Sequence, residues 1–334
     1  MKSITREENL IFSPALRQQA QALDMAAEAH QLLRGEANQE VPGVRHKESS
    51  FACGQINTIE ILDAQGAELM GRAEGTYITI EVPDLKNDLN DTGGQLLPIS
   101  QAVAEALGSV LPPDMPPEAG VLLVGLGNFQ TTADAIGPKT ISYIQPTRHV
   151  YQKDWAEEIR PVAAITPGVV GNTGIETALL IKGVVRQIKP ACLIVIDALA
   201  ARSISNIMSS IQICNTGIRP GSGVQNRRQA VTQAYLGVPV IAVGIPTVVH
   251  GATIIRESAN LCMQRLNAED KAPALADELV ETLLQPFADN LVVTPKDADT
   301  LVPLAARIIA AGITRALHPA ADAEHFAQYM QNGC

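Results

Sequence analysis

At 334 residues the chain is long enough for one large domain, or for one domain with a sizeable appendage. Hydrophobic residues make up 46% and aromatics only 3%, which excludes a disordered chain and leaves the core to Val, Ile, Leu and Ala, as in a buried parallel sheet under helices. A net charge of −10, with no basic run interleaved with aromatics, argues against a nucleic-acid binder. Five scattered cysteines (Cys53, Cys192, Cys214, Cys262, Cys334) form no CxxC pair and read as reduced thiols of a cytoplasmic protein. The opening MKSITREENLIF lacks the apolar core of a signal peptide, and no apolar run of about 18 residues offers a membrane span.

In chain order, PALRQQAQALDMAAEAHQLLR (14–34) has a helical pattern that ends at Gly35. INTIEIL and TYITIEV alternate like half-buried strands and are joined by DAQGAELMGRAEG. A helix is expected at 99–109, and LPPDMPPEAG marks a connector. From residue 121 short apolar runs at 121–125, 162–165, 192–197 and 238–243 alternate with helical patterns at 173–188, 226–235 and 297–316. This alternation predicts an α/β fold with an open, mostly parallel sheet flanked by helices. The expected division is an N-terminal helix and candidate propeptide (1–35), a β-rich subdomain with a linker helix (36–110), and an α/β core (120–334).

The run VLLVGLGNFQTTADAIGP places Gly125 and Gly127 just past an apolar strand, as nucleotide-binding proteins do. The dinucleotide pattern fails, because Gln130 stands where its third glycine belongs and Thr147-Arg148-His149 where its ribose-binding acid belongs. No Gly-Lys-Ser/Thr occurs, so the phosphate-loop pattern fails too. What the turn delivers is Asp134. One reading makes it the cap of the next helix; the other makes it a catalytic carboxylate.

Asp197 is the single ionisable group at the end of the strand CLIVID, with Arg202 and Ser203 in the loop beyond, and it too reads either as a cap or as a catalytic acid. Two lone aspartates past parallel strands would converge on one sheet edge, where one activates water and the other protonates a carbonyl. In TPGVVGNTGIET, the Thr173-x-x-Glu176 spacing reads as a capping box, and the Gly168 backbone could face an oxyanion. Gly217, Gly221 and Gly223 in TGIRPGSGVQNRRQA make a loop with Arg219, Arg227 and Arg228 near it, either an anion-binding turn or a plain surface loop. His250 is the best third polar candidate at a strand end, although a single His is more often an ordinary loop residue. No nucleophile elbow and no zinc spacing is present.

GLGNFQTTADAIGP, TPGVVGNTGIET, IDALAARS, TGIRPGSGVQNRR and GVPVIAVGIPTVV occur in an order and form that resemble the spore germination protease family, with AELMGRAEGTYITIEVP upstream. The resemblance implies an aspartic-type endopeptidase that begins the degradation of small acid-soluble spore proteins during germination. It works in the forespore or spore core, without a cofactor or metal, and with no nucleic acid or membrane as partner. It also implies a zymogen that assembles as a homotetramer, with Asp134 and Asp197 as the catalytic pair; the residues themselves, apart from the resemblance, offer Asn128, Gly168, Arg202, Ser203, Gly221, Gly223 and His250 as substrate-binding or supporting candidates. The family shares its core with the hydrogenase maturation proteases, so a metal-dependent maturation peptidase is one alternative and a non-catalytic nucleotide-binding sheet protein another. Two features depart from the family pattern. His250 stands where an acid is expected, and NLIFSPALRQQAQAL has no acid before a bond that could be cut.

Overall fold

The computed structural model describes residues 12–21, 23–35, 40–86, 96–151, 159–219, 228–268, 272–287 and 291–321. The N-terminal helical pattern forms two helices rather than one, α1 (Pro14–Gln21) and α2 (Ala26–Arg34). Strands β1 (Val44–Phe51) and β2 (Gly54–Ile61) pair antiparallel, then the short helix α3 (Ala64–Met70) leads to β3 (Gly75–Glu81). Asp63 caps α3 by accepting from the Gly66 N–H at 2.9 Å, so the segment expected as a plain linker contains a helix.

After α4 (Leu96–Val110) the core runs β4 (Val121–Gly125), α5 (Ile136–Ser142), β5 (Val162–Ile165), α6 (Val170–Thr173), α7 (Thr177–Ile188) and β6 (Cys192–Ala201). It continues through β7 (Ser210–Cys214), α8 (Gln233–Leu236), β8 (Val240–His250), α9 (Gly251–Arg265), α10 (Ala272–Leu284), β9 (Val292–Val293) and α11 (Ala298–Leu317). Of the helix expected over 226–235, residues 226–227 lie outside the described residues, and α8 covers only Gln233–Leu236.

Among the described residues all the strands join one sheet in the order β1-β2-β3-β7-β8-β6-β4-β5, with β9 added beside β8. The expectation of a mostly parallel sheet is corrected here: β4 pairs parallel with β5 and β6, and β6 with β8, but the other pairings are antiparallel. The reason lies in residues 202–209, too short a connection for the dozen or more residues that a parallel crossover needs. β7 therefore returns antiparallel on the far side of β8 and offers its free edge to β3, which joins the N-terminal strands to the core sheet.

Alternation along the central strands covers both faces. Leu123, Ile194 and Ile196 pack on one side with α4 and α11 residues such as Val103, Leu107, Val302 and Ile309. Leu122, Val124, Leu193 and Val195 pack on the other with Ala178, Ile181 and Val185 of α7. Helix α11 is long and apolar enough to cross a membrane, but 56% of its most apolar stretch is buried inside the protein. α5 lies tight on the sheet: a Cβ at Gly137 would stand 2.2 Å from the Leu126 carbonyl oxygen and 2.6 Å from that of Ile196. That close approach places the turn before α5 at the ends of β4 and β6. Cys192, Cys214 and Cys262 are free thiols.

Candidate active site

β4 stops at Gly125, opposite Ile196 of β6, while β6 runs on. Asp197 is thus the first residue of β6 to project beyond the end of β4. It lies within a strand that continues to Ala201, not after the strand's end as its spacing implied. Its side chain is 6% exposed, and Oδ1 accepts from the Ala198 N–H at 2.9 Å.

Beyond Gly125 the chain crosses above the strand ends, and the Leu126 N–H donates to the Ile196 carbonyl at 2.8 Å. A 3-10 turn over Thr132–Asp134 then presents Asp134. Asp134 does not cap α5; its Oδ2 accepts from the Asn128 N–H at 2.7 Å. The turn is held from two sides. The buried Thr247 hydroxyl on β8 donates to the Ala133 carbonyl at 2.6 Å, and Thr132 Oγ1 donates to Asp299 Oδ1 of α11 at 2.6 Å. The Asn128 N–H at this glycine turn is therefore engaged by a protein carboxylate.

Asp134 and Asp197 line one cavity of about 300 Å³, together with Asp24, Gly127, Gly168, Thr177, Arg219, Arg228 and Thr247. Burial pushes the Asp197 carboxyl up to about 8, reinforced by the negative charges of Asp134 and Asp24. Burial also raises Asp134, but the Asn128 N–H and the positive charge of Arg228 oppose the rise. Burial thus favours the protonated form of both acids, and Asp197, at about 8, keeps its proton at neutral pH.

A stability consequence follows from the same shift. An unfolded Asp ionises near pH 4, about four units below folded Asp197. Between those values the folded chain keeps a proton that the unfolded chain has released, so stability falls as pH rises through the window. Asp197→Asn carries no such proton. It is expected to unfold like wild type near pH 4 and to be more stable at pH 9 by on the order of a few kcal/mol. Urea unfolding at the two pH values reads this directly, and parallel curves for both proteins would contradict the buried-acid assignment.

The other candidates divide. Asn128 contributes its backbone N–H, while its side chain closes the loop by donating to Thr131 Oγ1 at 3.2 Å and accepting from the Gln130 N–H at 3.1 Å. Gly168, at φ +72°, borders the cavity. Arg202 turns away: its N–H donates to both carboxylate oxygens of buried Glu28 at 3.2 Å. Ser203 caps the short 3-10 turn at 204–206 by accepting from the Ser205 N–H. His250 ends β8 opposite Val292 and does not line the cavity. Gly221, Gly223 and Arg227 lie outside the described residues. The Thr173–Glu176 capping box does not form; α7 starts at Thr177, with Glu176 at its N-cap and no side-chain capping bond. Among the described residues no group of three or more His, Cys, Asp or Glu stands together so as to hold a metal ion.

Asp24 and Thr247 went unnoticed in the sequence. Asp24 sits inside a helical pattern and Thr247 inside an apolar strand, so neither carried a local signal.

A family model described as germination protease matches residues 19–276 and 275–330. The chain is 40% identical over 314 residues to a germination protease of Caldanaerobacter subterraneus subsp. tengcongensis, covering 89% of this chain and 94% of that one. It is 39% identical to a germination protease of Clostridium tetani, with 92% and 98% covered, and 33% identical to one of Bacillus velezensis, with 92% and 95% covered. Among solved structures, a NiFe hydrogenase maturation protease from Thermococcus kodakarensis KOD1 aligns over 52% of this chain and 97% of its own, at 14% identity. Its TM-score of 0.29 is too low to support an argument about the fold. The sequence likeness, by contrast, runs almost end to end and takes in both cavity aspartates: the chain belongs to the germination protease family.

Proposed function

We propose that Asp134 and Asp197 are the acid–base pair with which this chain, an aspartic-type endopeptidase, opens peptide bonds in small acid-soluble spore proteins. The observation that carries the reading is two carboxylates in one cavity, one of them buried enough to keep its proton at neutral pH.

Asp134, ionised, takes a proton from a water molecule as the water oxygen attacks the scissile carbonyl carbon. Asp197 gives its proton to the carbonyl oxygen, which yields a neutral tetrahedral diol. On collapse, the proton held by Asp134 passes to the leaving nitrogen, the C–N bond breaks, and the diol hydroxyl returns its proton to Asp197. Both carboxyls end as they began. Rate is expected to fall at alkaline pH, as Asp197 loses its proton near pH 8, and at acid pH, as Asp134 gains one.

Arg219 and Arg228 on the cavity wall bring positive charge to a chain of net charge −10. An acidic enzyme of this kind does not compete for DNA, so it meets its substrate once that protein has left DNA and become flexible. The family resemblance further supports a homotetramer working in the cytoplasm of the spore core and made as a zymogen.

The test is incubation of the purified chain with a small acid-soluble spore protein, with and without EDTA. Discrete fragments are expected at equal rate in both. Loss of cleavage with EDTA and its recovery with zinc would instead favour the metal-dependent maturation peptidase.

A further inference from the structure

The helical pattern of residues 14–34 runs unbroken through Asp24, yet the chain leaves the helix there. Three contacts hold the break. The buried guanidinium of Arg72, lying 5.9 Å from the centre of the Tyr77 ring, donates through Nη2 to the Leu23 carbonyl. Gln212 of β7 donates through Nε2 to the Asp24 carbonyl at 3.3 Å and accepts from the Ala26 N–H at 2.6 Å through Oε1.

The result is that the Asp24 carboxylate reaches β6, where Oδ2 accepts from the Ala200 N–H at 2.9 Å. The register of β6 against β8 shifts between Leu199 and Ala200, because β8 carries one extra residue there, Thr247. The bulge thus lies on β8, where it disrupts the ladder beside this part of β6. A carboxylate from a distant part of the chain thus takes up the Ala200 N–H beyond the end of β4, and Asp24, Asp197, Ala198, Leu199 and Ala200 all line the same cavity. A buried arginine and a buried glutamine are a costly way to interrupt a helix unless the exposed end does something.

We propose that Asp24 is a positioning residue of the catalytic pair: its carboxylate fixes the segment of β6 that carries Asp197 and adds its negative charge to the cavity. This deepens the Asp134–Asp197 reading and rests on it. The charge acts on Asp197 in the direction already described, since Asp24 and Asp134 both favour its protonated form, while Arg228 opposes them. The charged groups around Asp197 are thus Asp134 from the turn after β4, Asp24 from between α1 and α2, and Arg219 and Arg228 on the wall contributed by the segment between β7 and α8.

The two contributions separate by substitution. Asp24→Asn keeps an oxygen for the Ala200 N–H and removes the charge; Asp24→Ala removes both; Asp24→Glu keeps the charge. The readout is the pH profile of kcat and KM on a small acid-soluble spore protein, with Asp197→Asn assayed beside them. For Asp24→Asn the alkaline limb is expected to move down by about half a pH unit or more, with a smaller loss of kcat than in Asp24→Ala. Asp24→Ala is expected to show the same shift and also to lose kcat on the order of tenfold, with little change in KM. Asp24→Glu is expected to keep the alkaline limb at its wild-type position.

If Asp197→Asn is inactive while the Asp24→Asn profile superimposes on wild type, Asp24 has no such role, although the pair stands. If Asp197→Asn cleaves at the wild-type rate, the pair and the role of Asp24 fall together. Asp24→Asn alters no packing volume to speak of, so the charge question is answered even where Asp24→Ala fails to fold.

Discussion

Asp134→Asn and Asp197→Asn are each expected to lower kcat by about 10²–10⁴-fold while the protein still folds, the size expected for removal of one positioned general acid or base. Asn at 197 has no proton to give to the scissile carbonyl, and Asn at 134 cannot take one from water. The two losses should not add. The double variant is expected to be little worse than the worse single one, because the acid is of no use without the base and the reverse. Purified variants assayed on a small acid-soluble spore protein decide it, with circular dichroism to show that they fold; folded variants that cleave normally would remove the paired-carboxylate mechanism. Asp197→Asn adds an internal control. It is the variant expected to gain stability at alkaline pH, so loss of rate together with a gain in stability cannot be blamed on unfolding. A charge held in an unfavourable place for the sake of chemistry has this signature.

Gly127→Ala is expected to cost nearly as much rate without touching an ionisable group. Gly127 has φ +106°, a region that L side chains rarely adopt, and a Cβ there would stand 2.0 Å from the Asp134 carbonyl oxygen and 3.0 Å from its Oδ1. The methyl group cannot be absorbed by a rotamer change, because the nearest atom is backbone on a turn already tied to Thr247 and Asp299. Asp134 must move, and a displacement of about 1 Å in a positioned group can cost on the order of a hundredfold. The accompanying loss of stability should be about 1–3 kcal/mol, the usual cost of overpacking, with backbone strain contributing. Rate and unfolding measured on one preparation check both. Unchanged kcat would mean that the glycine turn does not aim the aspartate.

How much of this was legible from residue order differs from element to element. The apolar runs at 121–125, 162–165 and 192–197 became strands β4, β5 and β6 because continuous Val, Ile and Leu can be satisfied only where both faces of a sheet are covered. Asp134 and Asp197 stood out for the same reason: a lone carboxylate beside such a run is costly and so informative. Direction was not legible. SIQIC is short enough to belong to a strand, a loop or a helix end, and its antiparallel pairing with β3 and β8 is what joins the N-terminal strands to the parallel core. Nor was the break at Asp24, since a 3.6-residue pattern records which face is apolar and says nothing about a carbonyl that Arg72 will claim from 49 residues away.

Arg202, Ser203 and His250 show the opposite error. Nearness in sequence to a cavity aspartate or a strand end is not nearness in space: within β6, which carries Asp197, side chains alternate between faces, and Arg202 beyond its end spends its N–H on Glu28. By itself, then, the sequence determined the covered strands, the glycine turn and the two acids, because burial of apolar runs and the cost of a stray charge are local properties. Tertiary structure alone decided strand direction, the proton held on Asp197 and the arrival of Asp24, because each depends on groups brought together from far apart in the chain.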